Sequence, residues 1–104
     1  SIGVKYGGSE FTYNYSFSKH ALEYIPSFFK NLTKKKILTN ILRVGVVNTR
    51  LLRKIKGKNI NKRKKLIPIK RLASTQEISE TIYNLASEKN TYISGEKITI
   101  SGGE

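Results

Sequence analysis

Tyr15-Ser16-Phe17-Ser18-Lys19 places a phenol and an ammonium four positions apart. Side chains at i and i+4 are neighbours on a helix, so a helical reading of this stretch sets Lys19 beside Tyr15. A free tyrosine ionises near pH ~10 and is a poor proton shuttle at neutrality, whereas a fixed cation alongside favours the phenolate and lowers that value. The pair is then an acid–base device for a carbonyl or an alcohol. With six tyrosines and fifteen lysines in the chain, one such spacing is expected by chance, so its surroundings must decide.

Upstream, Ser1 lies beyond the turn-forming run Gly7-Gly8-Ser9, and its hydroxyl can reach the same substrate oxygen that Tyr15 protonates. The first helix is expected to begin between Tyr13 and Ser16, with Phe17, Ala21, Leu22, Ile25 and Phe29 as its apolar stripe. Pro26 lacks the N–H that would bond the Leu22 carbonyl and so predicts a kink or a restart. Asn31 to Lys36 reads as a polar turn feeding a strand over Ile37 to Val44. Asn48 to Lys65, with Gly57, Asn59 and Asn61 among many lysines, reads as a mobile loop with at most a short helix. Ser74 and Glu77 have capping-box spacing and open a helix through Ile78, Ile82, Leu85 and Ala86. Lys89-Asn90 closes it, and Ile98 and Ile100 mark a last strand.

This order of parts resembles the C-terminal half of a short-chain dehydrogenase/reductase, similar to the 3-oxoacyl-acyl-carrier-protein reductases. In that family a serine closes one strand, a Tyr-x-x-x-Lys motif opens the next helix, and a Pro-Gly-x-Val-x-Thr segment follows the next strand. The matching positions are Ser1, Tyr15 with Lys19, and Val44-Gly45-Val46-Val47-Asn48-Thr49, with valine in place of the proline. Arg71 to Ile78 looks like the family's last helix start, and Tyr92-Ile93-Ser94-Gly95 through Gly103 like its last strand. Loss of the proline predicts more backbone freedom over Val46 to Thr49.

The resemblance implies an α/β fold: the C-terminal portion of a Rossmann-type doubly wound parallel sheet, with the N-terminal nucleotide-binding half missing. Residues 1–104 are then a single partial domain, a fragment or the second half of a split enzyme, with 48–71 as its substrate-loop region. It implies Ser1, Tyr15 and Lys19 as catalytic residues, and Tyr15, Lys19, Val47 and Thr49 as contacts to NAD or NADP. The Val47 amide would serve the nicotinamide carboxamide, while Thr49 is equally well read as a helix N-cap. The partners implied are the missing half, a small carbonyl or alcohol substrate, and further copies of the complete enzyme as a homo-oligomer. The location implied is cytoplasmic. A dinucleotide site needs a glycine-rich turn between strand and helix. Gly3, Gly7 and Gly8 do not have that spacing, so the chain alone is expected to be inactive.

Composition bounds the alternatives. The formal charge is +13, no acidic residue stands between Glu23 and Glu77, and basic residues crowd Arg50 to Lys65. Such a patch suits a small nucleic-acid-binding protein, but the aromatics cluster in Tyr6 to Phe29, away from the charge, which disfavours nucleic acid. A solvated charge run, attraction of an anionic substrate, or a non-catalytic remnant of the family are the other readings. The absence of cysteine excludes disulfides and thiolate metal sites, and His20 stands alone, so no metal is expected. No apolar run approaches the length of a membrane span.

Overall fold

The apolar, β-branched run Ile41-Leu42-Arg43-Val44 and the alternating Lys97-Ile98-Thr99-Ile100 form the two strands of the computed structural model, which describes residues 1–54 and 59–104. β1 (Ile41–Val44) and β2 (Lys97–Ile100) pair in parallel, with Ile41 opposite Lys97 and Val44 opposite Ile100. Around them run a 3-10 turn (Ile2–Tyr6), α1 (Tyr13–Ala21), α2 (Phe29–Lys34), α3 (Arg50–Lys54), α4 (Ile60–Leu66) and α5 (Thr75–Ala86). Ile2, Leu52 and Ile67 are the buried apolar side chains among the described residues.

Beyond β1 the backbone stays tied down. The Gly45 amide donates to the Ile100 carbonyl at 2.8 Å, extending the ladder. A parallel bridge then joins Val47 to Ala73, with Asn48 N–H donating to the Ala73 carbonyl and Ala73 N–H to the Val46 carbonyl. These bonds engage the Val46 to Thr49 segment, for which loss of the proline predicts more backbone freedom. Gly45 cannot be otherwise, since a Cβ there would lie 2.8 Å from the Ser101 Cα.

Several predicted boundaries shift. Pro26 restarts rather than kinks, because its carbonyl accepts from Phe29 N–H at the start of α2, where a missing proline N–H costs nothing. The stretch Asn31 to Lys36 is consequently helical through Lys34 and turns at Lys36 with φ 62°. The strand begins at Ile41 rather than Ile37: Thr39 N–H donates to Ser94 Oγ, the Thr39 carbonyl accepts from Gly95 N–H, and the Asn40 side chain bonds the Ile93 carbonyl and the Glu96 amide. Between Asn48 and Lys65 there are two short helices, each with a side-chain cap: Thr49 Oγ1 accepts from Leu52 N–H, and Asn59 Oδ1 from Lys62 N–H. Gly57 lies outside the described residues.

Of the predicted apolar stripe, Phe17, Ala21 and Leu22 are exposed, Phe17 at 76% and Leu22 at 68%, while Ile25 and Phe29, past the end of α1, are half-buried. The inward stripe is Ser16, Lys19 and, just past the helix, Glu23, which meet the 3-10 turn and β1. On α5 the half-buried residues are Glu77, Ile78, Thr81 and Leu85, while Ile82 and Ala86 are exposed.

The α5 start follows its sequence signature. Ser74 Oγ accepts from Glu77 N–H at 3.1 Å, and Glu77 Oε2 accepts from Ser74 N–H at 2.7 Å. Arg71 grips the same carboxylate with two donors, and that guanidinium, helped by the Ser74 amide, pulls the Glu77 carboxyl down from 4.5 to about 2. Ser74→Ala should lower stability by about 1 kcal/mol, read from the urea midpoint. Because the folded pKa of Glu77 is depressed, its contribution is complete above pH 4.5 and is lost as the pH falls toward 2. A carbon-13 titration of the Glu77 carboxyl should show the low midpoint, and Arg71→Gln should return it toward 4.5.

Candidate active site

Three separate segments meet at one cavity. Gly7, at φ 72°, closes the 3-10 turn in the left-handed region, and Ser1 caps its start by accepting from Gly3 N–H at 3.4 Å. Gly8 follows at φ 81° and lies so close to α1 that a Cβ would sit 2.7 Å from Ser16 Oγ. The glycines that fail the dinucleotide pattern thus serve to seat the Ser1 segment against α1. Ser16, directly after Tyr15, is 4% exposed and its hydroxyl has no partner among the described residues.

The cavity, of about 660 Å³, takes Ser1, Tyr15 and Ser16 on one side and Gly45, Val47 and Thr49 on another. Leu51, Leu52 and Arg63, from α3 and α4, close a third side. A second cavity of about 420 Å³ shares the wall formed by Ser1, Tyr15 and Gly45 and adds Lys19, Leu22 and Glu23. Lys19 is on the Tyr15 side of α1, as the spacing predicts, with Nζ 5.5 Å from the centre of the phenol ring. Ser1, Tyr15, Val47 and Thr49 therefore line one space, and Lys19 adjoins it through Tyr15. The backbone amides of Gly45, Asn48 and Thr49 donate to the Ile100, Ala73 and Val47 carbonyls. The Val47 amide donates to no acceptor among the described residues. Thr49 Oγ1 is engaged as the α3 cap, so its N-cap reading is realised alongside its place in the cavity.

Sequence reasoning missed the ion pair that braces this arrangement. Glu23, 3% exposed, receives Arg43 Nε at 3.0 Å and Nη2 at 2.5 Å, linking the end of α1 to β1 two residues before Gly45. The guanidinium holds the Glu23 carboxyl below the usual carboxylate range, and the carboxylate holds Arg43 above its own. The available signal was the i, i+3, i+7 stripe Ser16, Lys19, Glu23, which is polar and so does not register as an inward face. Among the described residues no group of three or more His, Cys, Asp or Glu is placed to hold a metal ion, and no helix is long and apolar enough to cross a membrane.

Residues 1–104 match the protein family described as enoyl-(acyl carrier protein) reductase. The 3-oxoacyl-[acyl-carrier-protein] reductase FabG of Buchnera aphidicola subsp. Schizaphis graminum is 33% identical over 101 residues, covering 96% of this chain and 41% of that protein. A short-chain dehydrogenase/reductase double mutant from Serratia marcescens superposes with a TM-score of 0.75 at 28% identity, covering 92% of this chain and 38% of that one. YwfH, an NADPH dependent reductase involved in bacilysin biosynthesis, superposes at 0.69 with 29% identity, covering 93% and 41%. The chain belongs to the short-chain dehydrogenase/reductase family. It spans about two fifths of the relatives it matches.

Breaking the brace should be costly. Glu23→Gln leaves a partly buried guanidinium without its charge partner and should destabilise the chain by about 2 kcal/mol, below the ~3–5 kcal/mol of a fully buried pair because Arg43 keeps a fifth of its exposure. Urea unfolding followed by circular dichroism measures it, and a loss below ~0.5 kcal/mol would place the pair among ordinary surface bridges.

Proposed function

We propose that this chain forms the substrate side of an NAD(P)-dependent oxidoreductase that interconverts a carbonyl and an alcohol. The observation that carries the reading is the convergence of Ser1, Tyr15, Val47 and Thr49, drawn from three separate segments, on one cavity. The residues present fit a nicotinamide: Gly45 permits close backbone approach, and the Val47 amide keeps its donor for a carboxamide oxygen. When bound, that cofactor supplies or accepts the hydride.

The chain's own groups handle the proton and the orientation. The Tyr15 hydroxyl gives its proton to the carbonyl oxygen in reduction and takes it back in oxidation. The Lys19 ammonium lies 5.5 Å from the centre of the same ring and has donors for ribose hydroxyls. Ser1 accepts from Gly3 and keeps its own O–H to polarise the substrate oxygen. Thr49 and the Val47 amide hold the nicotinamide end of the cavity. The pyrophosphate-binding turn comes from a nucleotide-binding half that joins this one, and the complete protein acts as a homo-oligomer.

Turnover belongs to the assembly containing both halves, so the 104-residue chain alone should show no cofactor-dependent carbonyl reduction. In that assembly Tyr15→Phe keeps the ring and removes the transferable proton, and kcat should fall by roughly 10²–10⁴ with cofactor affinity largely kept. Lys19→Arg replaces a compact ammonium with a planar fork and should weaken both turnover and cofactor binding. Steady-state kinetics with NADPH and NADH decide the matter; near-wild-type turnover in Tyr15→Phe would falsify the assignment of the acid.

A further inference from the structure

Arg63 is the one charged side chain on the wall of the large cavity among the described residues, where it faces a lining that includes Ile2, Val46, Val47, Leu51 and Leu52. It is held in place from behind. Ile67, at the foot of α4, is 2% exposed and packs on the Gly102 turn, and Ile69 N–H donates to the Gly102 carbonyl at 3.2 Å. From that turn Glu104, whose side chain is 6% exposed, offers Oε1 to Arg63 Nη2.

The two buried ion pairs differ in a telling way. Arg43 gives two donors to both oxygens of Glu23 and is used up as a brace. Arg63 meets Glu104 through Nη2, leaving Nε and Nη1 without a hydrogen bond among the described residues. A guanidinium held at Nη2 by a carboxylate keeps N–H donors at Nε and Nη1 with which to receive a second oxyanion. Neighbouring Lys62, Lys64 and Lys65 keep the local charge positive after Glu104 is counted. The cavity volume lies within the ~300–1,000 Å³ usual for small-molecule sites.

We propose that Arg63 binds an anionic oxygen group carried by the substrate, so that the carbonyl compound taken into this cavity is an oxo acid, its carboxylate at Arg63 and its carbonyl at Tyr15. This rests on the reading of the cavity as the substrate site. Selectivity for the acid is measured by binding and turnover by kinetics, so the two readings fail separately.

The test uses the nitrogen-15-labelled full chain in 150 mM salt, where a Debye length of about 8 Å screens the general positive charge. Acetoacetate should bind saturably, shift the Val47 and Thr49 amides and Arg63 Nε, and bind roughly tenfold more tightly than its neutral methyl ester. Arg63→Gln should abolish that ratio, while Lys62→Gln and Lys65→Gln preserve it. The wild-type ratio is itself decisive should Arg63→Gln fail to fold. Equal affinity for acid and ester, no saturable binding of the acid, or a ratio that survives Arg63→Gln overturns the proposal. Inorganic pyrophosphate stands for the phosphates of the cofactor: it should not displace acetoacetate, and displacement would give Arg63 to the cofactor instead.

Discussion

Ile41 lies opposite Lys97 in a parallel ladder, and strands that run the same way cannot be joined by a tight turn. Everything between Val44 and Lys97 must travel from the far end of one strand back to the near end of the other. α3, α4 and α5 lie within that connection. The cavity lies where β1 ends and its backbone passes to α3, the position at which sheets of this kind leave a crevice for ligands. Gly45 is a tight point of the arrangement, because the ladder brings Ser101 so close that a Cβ on Gly45 would lie 2.8 Å from the Ser101 Cα.

The same ladder fixes what α1 can do. β1 carries Arg43, and Glu23 closes on it from the end of α1, so the helix bearing Tyr15 and Lys19 is set at a defined distance from the Val46 to Thr49 segment. Buried ion pairs are weak sources of net stability, since desolvation offsets most of the attraction, but they are directional. Here direction is the useful property. With few buried apolar side chains among the described residues, the inward face of α1 is specified by one bidentate pair and by the contact of Ser16 with Gly8.

The two acidic residues that meet arginines in the interior have different consequences. Glu23 completes its partner and joins two elements. Glu104 holds its partner at the rim of the cavity with donors to spare. The basic stretch that composition alone leaves open among nucleic acid, solvent and substrate thus contributes, among the described residues, one charged side chain to the cavity, Arg63, while Lys62 and Lys65 remain exposed.

Local signals in the sequence determined the elements whose chemistry is local. The Ser74 to Glu77 capping box, the break at Pro26, the alternation at Ile98 and Ile100 and the i, i+4 spacing of Tyr15 and Lys19 each depend on bonds or contacts within a few residues, and each appears in the structure. Ser1, Val47 and Thr49, which the resemblance in its motifs names as site residues, line one cavity in the structure. Tertiary structure alone decided which face of α1 turns inward, because Ser16 is buried beside Gly8 and Glu23 pairs with Arg43 across the chain while Phe17 and Leu22 stay exposed. It also decided the late start of β1 and the pairing of Arg63 with Glu104. These depend on contacts between residues tens of positions apart, whose worth is set by burial and geometry and leaves no periodic trace in the sequence.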